Sequence, residues 1–246
     1  MYDTPKFLGS GESCLVVEFS DSIDRDANIR LQSLRHVLDA KKIPGVREFV
    51  PTYRSLSIHH DPILLARGTL ERVVDKALGE LGGSAESRKR ILVMPVVYGG
   101  EYGPDMENVC KHTGFSEEEV VRRHTGKDCY CFMIGFTPGF PYLGGMDESL
   151  ETPRLANPRT LIPAGSVGIA GKQTGAYSID SPGGWQLIGR TPLRLFDPAN
   201  TENPTLVDAG DWVRFQAIGE AEFKDIRAQV EAYKYTPEHI FEGGAA

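Results

Sequence analysis

The sequence predicts an α+β protein in two parts, a small α+β domain over residues 1–88 and a β-barrel domain over residues 89–246. Two observations support this prediction. Helix-like and strand-like periodicities alternate through the first ninety residues. From residue 129 onward, short runs of β-forming residues are separated by glycine and proline, which is typical of a barrel or sandwich.

The first domain is predicted to run strand, helix, strand, strand, helix, which is a two-layer α+β order. The ranges are 13–20, 26–40, 46–51, 53–61 and 69–81, and the polar, glycine-rich segment 82–90 is a predicted linker. Each helix has an apolar face at helical spacing. The two faces are Ala27, Leu31, Leu34 and Leu38, and then Leu70, Val73, Val74, Ala77 and Leu78.

The second domain is predicted to open with a strand from residue 91 that leads into turns up to 105. A short helix over 116–126 follows, because Ser116 and Glu119 form a capping box and Gly126 is a stop signal. The following β-runs are "CYCFMIGF", "TLIPAGSVGIAG", "GAYSID", "WQLIGRTP", "LRLF" and "DWVRFQAI". Residues 220–235 close the chain as a helix, with Phe223, Ile226, Val230 and Tyr233 on one face.

The stretch "GSVGIAGKQTG" (165–175) resembles a phosphate-binding loop but fails the Walker A pattern. Ser166 occupies the first glycine position, and Gln173 stands where a hydroxyl should follow the lysine. The residues after it do not favour a helix, whereas a phosphate-binding loop opens one. We therefore predict a strand–turn segment of the barrel here.

Composition disfavours several functional classes. The net charge of −7 argues against nucleic-acid binding, and no apolar run is long enough to span a membrane. The N-terminus has no signal-peptide pattern, and four cysteines (Cys14, Cys110, Cys129, Cys131) fit a reducing cytoplasm. The C-x-C spacing of Cys129 and Cys131 favours packing over a zinc site. We expect a cytoplasmic protein without a metal site.

Polar side chains interleave with glycine between residues 159 and 194, and aromatic residues flank them, as in small-molecule sites. The predicted catalytic residues are Arg159, Gln173, Tyr177 and Arg190. The predicted substrate-binding residues are Phe136, Phe140, Tyr142, Lys172, Thr174, Trp185 and Gln186. The alternative is that the glycines only build barrel turns and that the arginine and glutamine tips are solvated.

The sequence shows no obvious nucleophile. The G-x-S-x-G pattern is absent, and no cysteine has an evident histidine partner. His124, at the end of the predicted helix 116–126, is expected to be a capping or packing residue. The chain is therefore expected either to act by binding or to have its site completed by another chain.

Several long segments resemble the allophanate hydrolase subunit 1 / carboxyltransferase-subdomain family. They include "GVREFVPTYRSLSIHHDP", "MPVVYGGEYGPDMENV", "IGFTPGFPYLGGMD" and "PRTLIPAGSVGIAGKQTG…SPGGWQLIGRTP", and the similarity covers about residues 9–218. The resemblance implies a small α+β domain followed by a cyclophilin-like β-barrel. It also implies a related, cyclophilin-like partner subunit of C type that completes the site.

For a separate chain of this length, the resemblance implies the B-type subunit of an ATP-dependent 5-oxoprolinase, active only with A-type and C-type partners. The A-type partner is the lactam hydrolase subunit, and the reaction opens the lactam of 5-oxo-L-proline to L-glutamate. ATP and Mg²⁺ would act in the assembled complex, with no cofactor covalently bound to this chain. Arg159, Lys172 and Arg190 are the candidate cations for the phosphoryl group, while Gln173, Gln186 and Tyr177 would orient the substrate.

Two alternatives remain open within the same resemblance. One is the carboxyltransferase half of a urea-carboxylating enzyme, in which biotin would arrive on another protein. The other is a histidine-kinase inhibitor that acts by protein binding, which predicts an exposed apolar patch for a helical partner.

Overall fold

The computed structural model describes residues 1–81 and 89–243. Its internal contacts divide the chain into two compact units, Met1–Ser87 and Arg88–Ala246. Most of the predicted linker, residues 82–88, lies outside the described residues, so the structure of that segment stays a prediction.

The first unit contains an antiparallel sheet that packs against two helices. Its described elements are β1 (Lys6–Gly9), β2 (Cys14–Glu18), α1 (Arg25–Ala40), β3 (Val46–Pro51), β4 (Ser55–His60) and α2 (Arg67–Glu80). The strand order is β1-β2-β4-β3. The predicted elements are confirmed, but β1 was missed because its four residues have no buried face. Only pairing with β2, for example Phe7 with Val17, shows it to be a strand.

The first helix forms where the predicted apolar face indicates. Asp24 caps it by accepting a 3.0 Å hydrogen bond from the backbone N–H of Ala27. All four predicted face residues are fully buried, namely Ala27, Leu31, Leu34 and Leu38. They join Leu70, Val74 and Ala77 of α2 in one core, so both helices are held mainly by apolar burial against the sheet.

The second unit is built on a closed barrel. Its described strands are β5 (Lys89–Tyr98), β6 (Cys129–Ile134), β7 (Pro141–Gly144), β8 (Arg159–Ile162), β9 (Ser166–Ala170), β10 (Gln173–Ala176), β11 (Ser181–Gly183), β12 (Gln186–Arg190), β13 (Trp212–Ala217) and β14 (His239–Glu242). Seven of these described strands form the barrel in the order β12-β9-β10-β7-β6-β13-β5, and β12 closes onto β5. Strand β14 extends the sheet beside β5, while β8 and β11 form a separate two-stranded sheet.

Barrel closure depends on close backbone approach at Gly189, which pairs with Tyr98 where β12 meets β5. A Cβ atom at Gly189 would lie 2.6 Å from the carbonyl oxygen of Val97. Glycine is therefore required at this seam for a steric reason. The predicted α+β fold class is confirmed, with a barrel as the second part.

Three helices accompany the barrel: α3 (Met106–Thr113), α4 (Glu117–Thr125) and α5 (Glu220–Glu231). The prediction of α4 is confirmed, and Ser116 Oγ accepts the Glu119 N–H at 3.3 Å. Glu119 does not return the second capping-box bond, because its carboxylate pairs with Arg122 and Arg123. Helix α3 was missed, since only Met106 and Val109 of its eight residues are buried.

Two further sequence expectations need correction. The run "LRLF" is not a strand, because only Phe196 forms an isolated bridge, to Thr205. The last helix ends at Glu231, and Tyr233 beyond it has a positive φ of 55°. Strand β14 follows, and its pairing with β5 was invisible to local pattern.

The cysteines are free thiols, and the packing interpretation of Cys129 and Cys131 is confirmed. Both lie in the apolar core of the barrel, where burial raises the pKa of the Cys129 thiol to about 12. In the described part of the chain, no helix combines the length and the apolarity needed to cross a membrane.

Candidate functional site

The stretch "GSVGIAGKQTG" forms the hairpin of β9 and β10, as the strand–turn prediction states. Ala170 pairs with Gln173, which leaves Gly171 and Lys172 as the turn. Gly171 has a φ of +57°, a left-handed conformation that glycine adopts without strain. Lys172 is therefore exposed at the tip of a hairpin.

The two faces of this hairpin have different neighbours. Val167 and Ile169 lie in the barrel core, so Gly168 between them faces outward. A Cβ atom at Gly175, on the neighbouring strand, would lie 3.2 Å from both the Phe140 and Trp185 rings. The glycines are thus needed because aromatic rings lie directly on the outer surface of the strands.

Five predicted substrate-site aromatics form one group, which we call the aromatic cluster: Phe136, Phe140, Tyr142, Tyr177 and Trp185. Phe140 is at its centre, with ring centroids 5.1–5.7 Å from the other four. Phe140, Tyr177 and Trp185 are at most 6% exposed, whereas Phe136 is 59% exposed. The cluster is therefore packed rather than open, and only Tyr142 and Phe136 present a substantial surface to solvent.

Tyr177 holds a protonated phenol within this cluster. Burial raises its pKa to about 12, although the backbone N–H of Trp185 donates a hydrogen bond to it. At neutral pH its O–H is therefore a hydrogen-bond donor rather than a base. Gly183 of β11 lies against the phenol oxygen, where a Cβ atom would overlap it.

Replacing Gly183 with alanine is expected to displace the Tyr177 ring and destabilise the second unit by about 1–3 kcal/mol, the usual cost of overpacking. The added methyl would also lie 2.8 Å from Ile162 Cδ1. The free energy of unfolding, measured in denaturant, checks this. Gly219→Ala is the matched control because no atom lies within 4 Å of a Cβ there. Equal stability of the two variants would contradict the packing account.

Arg159 is held in an ion pair that the sequence did not indicate. Its Nη1 and Nη2 donate to the two oxygens of Asp105 at 2.8 and 2.7 Å. Asp105 is 3% exposed and also accepts the backbone N–H of Leu187 at 2.8 Å. The pair therefore joins β8 to β12, and hydrogen bonding to Asp105 raises the pKa of Arg159. Asp105 lies in a "GPD" turn without a motif, so no sequence signal pointed to it.

Gln186 belongs to the same polar network. Asn108 bridges the carboxylate of Asp105 and the Gln186 side-chain oxygen, at 3.4 Å to each. The Gln186 amide donates to the carbonyl of Pro153 at 2.9 Å, and the residue is 6% exposed. Its functional groups thus anchor neighbouring backbone.

Thr174, another predicted substrate residue, lies inside the barrel in a buried chain of hydrogen bonds. His124 contacts Tyr98 Oη through Nδ1 and Thr174 Oγ1 through Nε2, both at 2.8 Å. Thr174 donates to the carbonyl of Gly168 at 3.1 Å, so it accepts from the Nε2–H of His124. Burial lowers the pKa of His124 to about 3, which keeps it neutral. The packing prediction for His124 is confirmed, and Thr174 is out of reach of a ligand on the outer face.

With this geometry established, similarity to known proteins can be compared with it. Residues 5–207 match the carboxyltransferase domain, subdomain C and D, family. The chain belongs to this family. This confirms the resemblance identified from the sequence motifs.

Curated relatives of this carboxyltransferase-domain protein share one description. It is 42% identical over 223 residues to the 5-oxoprolinase B subunit of Bacillus subtilis strain 168, covering 87% of this chain and 92% of the relative. It is 44% identical over 206 residues to the B subunit of the Escherichia coli O157:H7 enzyme, covering 83% and 92%. The crystal structure of the protein TTHA0988 is 35% identical with a TM-score of 0.76, over 84% of this chain but 40% of that protein.

The three candidate cations of this carboxyltransferase-domain protein do not converge. Arg190 pairs with Ser166 at one end of β9, while Lys172 lies in the turn at its other end, about 13 Å away at the usual rise per residue. Arg190 Nε donates to the carbonyl of Ala164 at 3.0 Å, and burial lowers its pKa. Because Asp105 balances Arg159, Lys172 is the candidate whose charge is open to solvent.

Two cavities of about 360 Å³ each lie in the second unit, beside the segment 193–208 and the end of α5. They share Arg194, Asp197 and Tyr233 in their walls, but none of the predicted site residues lines either one. Within residues 1–81 and 89–243, no three His, Cys, Asp or Glu side chains are grouped as metal ligands. The candidate site is therefore the outer edge of the aromatic cluster beside the hairpin tip.

Proposed function

We propose that this chain is the B-type subunit of a 5-oxoprolinase, which hydrolyses the lactam of 5-oxo-L-proline to L-glutamate. The observation that carries the proposal is its identity of 42% and 44% to the B subunits of two 5-oxoprolinases, each matched over 92% of its own length. Similarity over nearly a whole subunit favours the same place in the same kind of enzyme.

The proposal includes partner subunits of A and C type. Relatives that are named as one lettered subunit belong to enzymes of more than one subunit. The chain also covers only 40% of TTHA0988, so that relative carries further polypeptide beside the matching part. A separate partner chain is the corresponding arrangement proposed for this protein.

We place the contribution of this chain to the shared site at the edge of the aromatic cluster. Tyr142 and Phe136 offer apolar surface there, and Gln173 begins β10 next to the exposed Lys172. ATP, with Mg²⁺, would supply the activation of the lactam oxygen in the assembled complex. Lys172 is the residue of this chain that we assign to the phosphate charge, since it makes no ion pair within the described residues.

Reconstitution tests the proposed function directly. The purified chain is mixed with its A-type and C-type partners, and glutamate and ADP formation are measured with 5-oxoproline as substrate. We expect activity that needs all three proteins. If the complete mixture consumes no 5-oxoproline, while this chain binds a sensor kinase tightly or the mixture acts on urea, the proposal is wrong.

Replacing Lys172 with alanine is expected to lower kcat of the reconstituted enzyme about 10- to 100-fold, the range for losing one charge-stabilising group. Arg190→Ala should have a smaller effect, because Arg190 lies at the far end of β9. Lys111→Ala is the matched control, since Lys111 is 70% exposed and pairs only along its own helix with Glu107. A Lys172 variant as active as this control would remove Lys172 from the site.

A further inference from the structure

The segment 152–155 runs beside the hairpin tip and is held at three consecutive points around Arg154. The Gly171 N–H donates to the Thr152 carbonyl at 2.8 Å. The carbonyl of Pro153 accepts from the Gln186 side chain at 2.9 Å. On the other side of Arg154, the Leu155 N–H donates to the Gly184 carbonyl at 2.7 Å. The backbone that carries Arg154 is therefore fixed.

The side chain of Arg154 is oriented toward the aromatic cluster. Its positive charge lies close enough to the phenols of Tyr142 and Tyr177 to lower the pKa of each, against the larger effect of burial. The residue is exposed, and within the described residues it makes no ion pair. It differs in this from Arg159, whose charge is balanced by the buried carboxylate of Asp105.

These observations place an unbalanced guanidinium on a fixed backbone, next to the edge of the aromatic cluster that includes the half-buried Tyr142. A guanidinium recognises a carboxylate through two parallel hydrogen bonds, which a lysine does not reproduce. An aromatic surface beside it provides contact for a small ring. The arrangement suits a small cyclic molecule that carries one carboxylate.

We propose that Arg154 is the carboxylate-binding, specificity-determining residue of the substrate site, and that the substrate ring lies against Tyr142. The inference rests on the proposed function for the identity of the substrate, because 5-oxoproline is a five-membered lactam with one carboxylate. Lys172 follows Gly171, which bonds to Thr152, so the two exposed cations lie on adjacent segments. Arg154 would hold the carboxylate end, leaving the lactam group for the rest of the site.

Kinetics of the reconstituted complex test this proposal. Loss of a charge-assisted hydrogen bond pair should raise KM for 5-oxoproline about 10- to 100-fold in Arg154→Gln, with kcat changed less than about threefold. Arg154→Lys should recover part of the loss. The decisive comparison uses 2-pyrrolidinone, the same lactam without a carboxylate. The wild-type preference for 5-oxoproline, as a ratio of kcat/KM values, should shrink about 10- to 100-fold in Arg154→Gln.

The control is Arg122→Gln, because Arg122 is 68% exposed and pairs with Glu119 on its own helix. Thermal unfolding of each variant shows whether it folds. If the wild-type complex is active and Arg154→Gln keeps its KM and its preference for the carboxylate, this inference is wrong while the proposed function stands. If kcat falls with the preference unchanged, Arg154 has another role and the inference is also wrong. If the wild-type complex is inactive toward 5-oxoproline, both fail.

Discussion

Lowering the pH from 7 to 4 is expected to cost the second unit about 3 kcal/mol of folding free energy through His124 alone. The pKa of His124 is lowered from 6.5 to about 3 in the folded protein, and burial is the cause. The unfolded state therefore binds one more proton between these two values. The contribution is fully present above pH 6.5 and is lost by about 1.4 kcal/mol per pH unit as the pH falls toward 3.

The hydrogen-bond chain explains why the charged form is excluded. Thr174 donates to Gly168, so the Nε2 of His124 must carry the hydrogen, and Nδ1 accepts from Tyr98 O–H. A second proton on Nδ1 would face that O–H and leave the pair without an acceptor. The ring also packs 4.3 Å from Phe215, centroid to centroid, in apolar surroundings. No water replaces these partners for a buried charge at low cost.

Denaturant unfolding from pH 7 to pH 4, followed by tryptophan fluorescence, checks this prediction. Both tryptophans, Trp185 and Trp212, lie in the second unit, so fluorescence reports its unfolding. Other groups also titrate over this range, so the variant His124→Gln isolates the effect. Glutamine keeps one donor and one acceptor but does not titrate, and its stability should fall less steeply by about 1.4 kcal/mol per pH unit. His112→Gln, at an exposed position, should retain the wild-type slope.

If wild type and His124→Gln lose stability at the same rate between pH 6 and pH 4, the histidine is not the acid-sensitive group. That result would also contradict the direction assigned to the hydrogen-bond chain.

Replacing Asp105 with alanine is expected to destabilise the second unit by about 2–4 kcal/mol. Removing one partner of a buried ion pair typically costs 3–5 kcal/mol, and the 32% exposure of the Arg159 side chain reduces that cost. The Leu187 N–H loses its acceptor at the same time. Strand β8 also loses its tie to β12, which should disturb the covering of the aromatic cluster.

Denaturant unfolding measures this loss, and Asp225→Ala is the control because Asp225 is exposed on α5. A double-mutant cycle tests the pair itself. Asp105→Asn combined with Arg159→Met should cost less than the sum of the two single changes, because no charge is then left unpaired. If Asp105→Ala is within about 0.5 kcal/mol of the control, the pair does not clamp β8 to the barrel.

The elements with a long local period were accessible from the sequence. The apolar faces of α1 and α2 are seen in the buried core, and the Ser116 cap of α4 forms as predicted. Short elements were not accessible, because β1, α3 and β14 have too few buried residues to show a period. Strands of this kind are defined by the partner with which they pair, and the partner lies far along the chain.

The candidate site divides in the same way. The sequence indicated which residues form the aromatic cluster, since Phe136, Phe140 and Tyr142 are near neighbours and Tyr177 and Trp185 flank a turn-rich segment. It did not show that Thr174 points into the barrel, bonded to a histidine 50 residues away. It also did not show Asp105, which meets Arg159 across 54 residues, or the open charge of Arg154.

By itself, then, the sequence determined the family, the α+β class and the strand–turn nature of "GSVGIAGKQTG", with glycines that make room for aromatic rings. Only the tertiary structure decided which cations are balanced and which polar residues are buried. The physical reason is that helix periods and turn residues act over a few neighbours. Whether a charge meets a partner depends on strand register and barrel closure, which bring together residues more than fifty positions apart.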